Sequence, residues 1–225
     1  MIPQDKLKQI QLLIFDLDGT LVDSELDLAL SVNAVRAKMG MEPLPIAQVA
    51  SYVGRGVNVL MERALEELAS EDLVEQAVTL FLAYYHEHML DNTVPYPGVR
   101  ETLEELKKKN LAVLTNKPVV FSKHLLGGLG MSNYFSYIYG GNSFEQKKPD
   151  PVGVYKLLED LGGSPETTLI VGDSDTDVLT GRNAGVWTCG VTYGIGSHTL
   201  EATPPDLLLD DLRKLPGLLN GRQSY

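Results

Sequence analysis

The sequence predicts an α/β fold: a doubly wound, Rossmann-like parallel sheet with an all-helical domain inserted after its first strand. Three observations predict it. Short apolar runs alternate with amphipathic helical patterns from residue 99 onward, as βαβ units of a parallel sheet do. The first apolar run, Leu12–Phe15, stops at Asp16-Leu17-Asp18-Gly19-Thr20. Between residues 25 and 90 the periodicity is helical throughout, with no strand signal.

Each element follows from its residues. Leu12–Phe15 reads as a buried strand, which has no use for the carboxylates that follow, because burying an unpaired carboxylate is expensive. Asp16 and Asp18 therefore belong at its carboxyl end, where open α/β sheets bind ligands, and Gly19 allows a sharp turn there. Leu26, Leu30, Asn33, Ala34, Ala37 and Met39 fit one helix, stopped at Gly40. Residues 57–69 give a second helix through Leu60, Ala64, Leu65 and Leu68, and residues 71–90 a third. Pro95-Tyr96-Pro97-Gly98 reads as a linker returning to the sheet. The expected division is an α/β core of residues 1–22 and 93–225 and a helical cap of residues 23–92. Five further strands are expected at 111–115, 137–140, 168–172, 186–191 and 206–209. Helices at 99–109, 118–129 and 151–161 lie between them, the last ending at Gly162-Gly163.

Composition bounds the function. The chain has 225 residues, 44% hydrophobic and 22% charged, with a formal charge of −11. That balance argues against non-specific binding to nucleic acid or an anionic membrane, which want basic patches. Cys189 is the only cysteine, so no internal disulfide forms, and its apolar neighbours mark it as a core residue. The first eleven residues are polar and charged, without a signal-peptide stretch, and no run approaches the roughly 18 apolar residues of a membrane span. The expectation is a cytoplasmic monomer or homodimer acting on a small molecule.

Three more polar residues stand where strands end. Thr115 closes the run at 111–114 and precedes Asn116-Lys117-Pro118; Lys148 precedes Pro149; Asp173 follows Gly172, with Asp175 and Asp177 nearby. Taken singly, Thr115 reads as a helix cap and Lys147-Lys148 as a solvated pair. A calcium loop wants Gly at its sixth position and Glu at its twelfth. Counting from Asp173 gives Val178 and Ala184, and counting from Asp16 gives Leu21 and Asp27, so both candidates fail. Together the four sites place carboxylates, a hydroxyl and an ammonium at one sheet edge. Carboxylates so close repel unless a cation joins them, and few hard oxygen ligands with room for phosphate favour Mg²⁺. A metal and a lysine suit a phosphoryl group in transfer, and an Asp can attack phosphorus as a covalent nucleophile.

Asp16-Leu17-Asp18-Gly19-Thr20, Thr115, Lys148-Pro149 and Gly172-Asp173-Ser174-Asp175-Thr176-Asp177 resemble the four ordered motifs of the haloacid dehalogenase superfamily of phosphohydrolases. The resemblance spans the chain and includes the inserted cap. Within the superfamily, residues 18–24 and Gly54-Arg55-Gly56 resemble phosphoglycolate phosphatases. The resemblance implies that Asp16 is the nucleophile and a Mg²⁺ ligand. Asp18 would protonate the leaving alkoxide, deprotonate the hydrolytic water and lend the metal its backbone carbonyl. Thr115, with Asn116 beside it, and Lys148 would hold phosphoryl oxygens. Asp173 would ligate Mg²⁺, Asp177 would order that shell, and Asp175 has no assigned role. Dehalogenases and phosphonate hydrolases of the superfamily lack a carboxylate at the position of Asp18, so its presence favours phosphate esters. Sugar-phosphate mutases carry a His where this chain has Leu28.

Substrate choice is expected in the cap, with Arg55, between Gly54 and Gly56, a candidate for a substrate carboxylate. Its other reading is a solvated loop arginine. His86 and His88 do not converge on a helix and read as surface; Trp187, Tyr84 and Tyr85 read as packing. The function implied is a Mg²⁺-dependent phosphatase acting through an aspartyl-phosphate, 2-phosphoglycolate being the first substrate. The alternatives are a broader nucleotide, pyrophosphate or sugar-phosphate phosphatase, a mutase, or a catalytically silent phosphate-binding protein.

Overall fold

The computed structural model describes residues 2–221. Met1 and residues 222–225, which the expected core includes at its two ends, lie outside the described residues. A short helix α1 (Gln4–Leu7) leads into β1 (Leu12–Phe15), all four of whose residues are buried. The two-residue β2 (Val22–Asp23) precedes α2 (Glu25–Lys38), α3 (Ile46–Ala50), α4 (Val57–Leu65) and α5 (Glu71–His88), and β3 (Val94–Pro95) follows. The remainder alternates through α6 (Val99–Leu106), β4 (Asn110–Leu114), α7 (Val119–Gly128), β5 (Tyr137–Tyr139), α8 (Val152–Leu161) and β6 (Thr168–Gly172). It ends with α9 (Asp175–Ala184), β7 (Trp187–Val191), β8 (Leu207–Leu209) and α10 (Lys214–Leu219).

Six strands form one parallel sheet in the order β5-β4-β1-β6-β7-β8. The chain leaves β1 on one side toward β4 and β5, then returns to its other side at β6. Strand order therefore reverses at β1, and the crevice beyond its carboxyl end is the topological switch point where such sheets bind ligands. The alternation of β1 explains the layering. Leu13 and Phe15 join one apolar cluster with Leu103, Leu125 and Leu215, whereas Leu12 and Ile14 join another with Val154 and Leu157. Helices thus cover both faces, as a buried parallel sheet requires.

Every element between β2 and β3 is helical: four α-helices and one 3₁₀ turn. β2 and β3 pair antiparallel, Val22 with Pro95 and Asp23 with Val94, so the helical insertion leaves and rejoins the sheet at adjacent points. The buried Asp27 at the start of α2 fastens the return. Its carboxylate accepts from the backbone N–H groups of Asn92 and Thr93 at 3.0 and 2.8 Å and from Thr93 Oγ1 at 2.7 Å.

The strands fall where their apolar runs place them, with ends shifted by a residue. The helices differ more: α6 ends at Leu106, short of the expected residue 109, α9 is not among the expected helices, and the insertion departs as well. The pattern at 57–69 predicts one helix, but α4 ends at Leu65 and a 3₁₀ turn follows over Glu66–Leu68. The buried Arg36 guanidinium takes the carbonyl of Ala64 and the carboxylate of Glu66, whose φ is +55°. A cation at the last carbonyls supplies the partners that another helical turn would have given. Helices α1, α3 and α10 and the β2–β3 pair are too short for periodicity to reveal. Among the described residues no helix is long and apolar enough to cross a membrane.

Candidate active site

The site begins where β1 ends. The N–H of Asp16 donates to Val171 O at 2.9 Å, so Asp16 continues the ladder with β6 and its carboxylate is fixed at the switch point. The chain then turns: the N–H groups of Leu21 and Val22 both reach Leu17 O, and Gly19 N–H reaches Val22 O. Gly19 has φ +85°, and a Cβ there would stand 2.2 Å from Asp173 Oδ2. Glycine is required on both counts, because only a residue without Cβ lets Asp173 approach the loop this closely.

Asp173, one residue beyond β6, is buried; it accepts from Gly196 N–H at 2.7 Å and from Thr20 Oγ1 at 3.3 Å. Asp177, in the first turn of α9, accepts from the N–H and Oγ of Ser174, a capping arrangement that aims its other oxygen inward. That second oxygen receives Lys148 Nζ at 2.6 Å. Lys148 Nζ also lies 2.9 Å from Asp16 Oδ1. This is a charge contact without hydrogen-bond alignment, so the buried Oδ1 accepts no hydrogen bond among the described residues.

Asp16, Asp173 and Asp177 each present a carboxylate oxygen within 4.8 Å of the others. Burial pushes the Asp16 carboxyl up to about 6; Lys148 opposes this and Asp177 adds to it. Burial, with Asp177 and Asp16 close by, likewise holds Asp173 well above the usual carboxylate range. With Asp18, four carboxylates here face two ammoniums, Lys148 and Lys117. When all four are ionised two negative charges have no counter-charge, and an oxygen-only donor set with an orphaned lone pair suits a hard divalent cation. The cluster can therefore hold a metal ion.

Asp18 points away from this cluster toward a narrow cavity of about 60 Å³. Asp16, Asp18, Thr115, Asn116 and Lys117 supply its polar wall, while Leu28, Val57, Leu60, Phe81 and Phe121 supply an apolar one from the insertion and α7. Two carboxylates two residues apart thus face one ligand space, an arrangement that covalent hydrolysis can use. The sequence pattern of haloacid dehalogenase-like hydrolases matches residues 13–191. The chain belongs to that family.

This hydrolase also resembles curated relatives along most of its length. A phosphoglycolate phosphatase of Pseudomonas putida is 43% identical over 217 residues, covering 92% of this chain and 79% of the relative. One from Aquifex aeolicus is 41% identical, covering 92% and 96%. The crystal structure of a predicted phosphoglycolate phosphatase from Haemophilus somnus superposes with a TM-score of 0.87 at 35% identity, covering 92% of this chain and 96% of that one.

The hydrolase brings Asp16, Asp18, Thr115, Lys148, Asp173 and Asp177 together at the carboxyl end of the sheet. Thr115 Oγ1 accepts from Lys117 N–H at 3.3 Å, which leaves its own proton to donate. The side-chain amide of Asn116 is committed elsewhere: Nδ2 donates to Gly54 O at 2.9 Å and Lys148 O at 3.0 Å. Asn116 therefore ties the insertion and the Lys148 loop to the end of β4. Gly54 and Gly56 line the cavity, but Arg55 does not. Its guanidinium is half exposed and lies 3.2 Å from Asp175 Oδ2, so the residue expected to meet a substrate anion instead joins the insertion to α9.

Two cavity residues carry no role in the sequence reading. Lys117 is buried, and its Nζ donates to Asp18 Oδ1 and Oδ2 at 2.9 and 3.0 Å and to Tyr85 Oη at 2.8 Å. Burial disfavours its charge, but Asp18 and Tyr85 outweigh that and hold the ammonium above its ordinary value. Tyr85, buried on α5, is a cavity wall rather than only a packing residue. The signal for Lys117 was its place directly after Thr115-Asn116 at a strand end. For Tyr85 it was a hydroxyl in the apolar row Ala77, Phe81, Tyr85 of α5.

Proposed function

We propose that this hydrolase is a Mg²⁺-dependent phosphatase that converts 2-phosphoglycolate to glycolate and phosphate. In this reading residues 1–22 and 93–225 form the catalytic core and residues 23–92 a cap that closes over it. The observation that carries the proposal is the pairing of Asp16, beside Lys148, with Asp18, beside the cavity. The relatives named phosphoglycolate phosphatase, matched along nearly the whole chain, support the choice of ester.

The chain's own residues account for both half-reactions. Asp16 attacks phosphorus while the ester P–O bond breaks, and Asp18 gives its proton to the departing oxygen, releasing the alcohol. A water then attacks the aspartyl-phosphate as Asp18 takes its proton, and the bond to Asp16 breaks to give phosphate. Thr115 and Lys148 hold phosphoryl oxygens, and Lys148 keeps Asp16 oriented. Asp16, the Asp18 carbonyl and Asp173 would hold Mg²⁺, with Asp177 orienting that shell. Bound there, Mg²⁺ supplies charge neutralisation for the phosphoryl group in transfer.

Apolar side chains from the insertion wall the cavity opposite Asp16 and Asp18. Leu28 lines it, so the wall offers no histidine of the kind expected of a mutase. Phosphate release across a panel of metabolites tests the proposal. With Mg²⁺, kcat/KM for 2-phosphoglycolate should exceed that for nucleoside monophosphates and hexose phosphates, EDTA should abolish turnover, and Asp16→Asn should be inactive. Equal rates on hexose phosphates, or isomerised product, would contradict it.

A further inference from the structure

A phosphate ester that also carries a carboxylate needs a second place for its charge, and only one wall of the cavity offers it. Asp16 and Asp18 are acidic, and the face from the insertion is apolar apart from Tyr85 Oη. Lys117 is the only cationic residue lining the cavity among the described residues. Lys148 stands between Asp16 and Asp177 and does not line the cavity, and Arg55 points to Asp175 outside.

The Lys117–Tyr85 pair has the donors a carboxylate needs once one of the two Lys117 contacts to Asp18 passes to it. Tyr85 Oη accepts from Lys117, so its own proton is left to donate, and no acceptor takes it among the described residues. Burial raises the phenol to about 12, so that proton is retained at neutral pH. An ammonium and an O–H side by side, in a site with apolar surroundings, can hold the two oxygens of one carboxylate.

We propose that Lys117 and Tyr85 form the subsite for the substrate's carboxylate and make this hydrolase selective for esters bearing that group close to the phosphate. The inference rests on the phosphatase reading and specifies its substrate class. Distance sets the class. Asp18 must come within about 2.6–3.2 Å of the ester oxygen to protonate it, and Lys117 Nζ already touches both oxygens of Asp18. A group bound by Lys117 therefore sits next to the ester oxygen. A carboxylate on the carbon bearing that oxygen satisfies this, as in 2-phosphoglycolate; one at the end of a long chain does not. The missed lysine, rather than Arg55, is the specificity-determining cation.

The test compares 2-phosphoglycolate with ethyl phosphate, a similar ester lacking the charge, in wild type, Lys117→Met, Lys117→Arg and Tyr85→Phe. In Lys117→Met, kcat/KM for 2-phosphoglycolate should fall roughly 10- to 100-fold further than for ethyl phosphate, the range expected from a lost charged hydrogen bond. Lys117→Arg should restore part of the preference. Tyr85→Phe, which keeps the core volume, should lower the preference by a smaller factor through KM. Equal losses on both esters would show that Lys117 acts only by positioning Asp18, and would overturn the subsite while leaving the phosphatase reading intact. A wild type that cleaves both esters with Mg²⁺ but without preference would overturn the subsite and the choice of 2-phosphoglycolate together. A wild type that cleaves neither would overturn the phosphatase reading itself.

Discussion

Removing the cation should turn the nucleophile into a measurable liability for folding. Burial pushes the Asp16 carboxyl from 3.8 to about 6 against the pull of Lys148. A carboxyl whose affinity for a proton is higher in the folded state contributes stability at low pH. That contribution is complete below the unfolded value and is lost as pH rises through the folded one. At about 1.4 kcal/mol per tenfold change in proton affinity, ionised Asp16 costs the metal-free protein about 3 kcal/mol above pH 6. Asp16→Asn removes the charge with little change of shape. In EDTA at pH 7.5 the variant should be more stable than wild type by about that amount in urea denaturation. The difference should shrink toward zero as pH falls from 6 to 4. Mg²⁺ at about 1,000 times its Kd should reverse the order, since a ligand at that excess adds roughly 4.1 kcal/mol to the form that binds it. The reasoning is refuted if Asp16→Asn is less stable than wild type in EDTA at pH 7.5, or if the difference does not change between pH 4 and 7.

Other expected outcomes concern the frame of the site. Asp27→Ala leaves the buried donors of Thr93 unsatisfied and removes the acceptor of the Asn92 N–H, and should cost about 3 kcal/mol in urea denaturation; a loss below about 1 kcal/mol would show that Asp27 does not secure the insertion. Gly19→Ala places a methyl 2.2 Å from Asp173 Oδ2 and should cut kcat/KM about 100-fold while weakening Mg²⁺ binding measured by titration calorimetry. Unchanged affinity would contradict the proposed cluster geometry. Arg55→Ala breaks a half-exposed pair with Asp175 and should change stability by less than about 1 kcal/mol. A larger effect on kcat/KM for 2-phosphoglycolate than Lys117→Met produces would return the substrate anion to Arg55.

The strands were legible because a parallel sheet buried on both faces writes itself as uninterrupted apolar runs, as at Leu12–Phe15 and Thr168–Gly172. The polar core of the site was legible for the same reason: a carboxylate, hydroxyl or ammonium ending such a run stands out. Interactions between the two parts of the chain were not. Arg36 stopping α4 across 28 residues, Asp27 holding residues 92–93, and Lys117 meeting Tyr85 depend on tertiary placement that no local spacing encodes. Arg55, flanked by glycines, carried a loop signature that fits a substrate clamp and a salt bridge equally well. Tyr85 lay hidden because its position in the apolar row of α5 is also that of a core residue, and its function resides in one oxygen.

The central claim is that Asp16 carries the phosphoryl group. Rapid acid quench of the enzyme with Mg²⁺ and 2-phosphoglycolate labelled at phosphorus tests it most directly. The account predicts enzyme-bound label, released by hydroxylamine as an acyl phosphate must be, on the peptide containing Asp16 and absent from Asp16→Asn. Full turnover by Asp16→Asn, or label on a different residue, would contradict it.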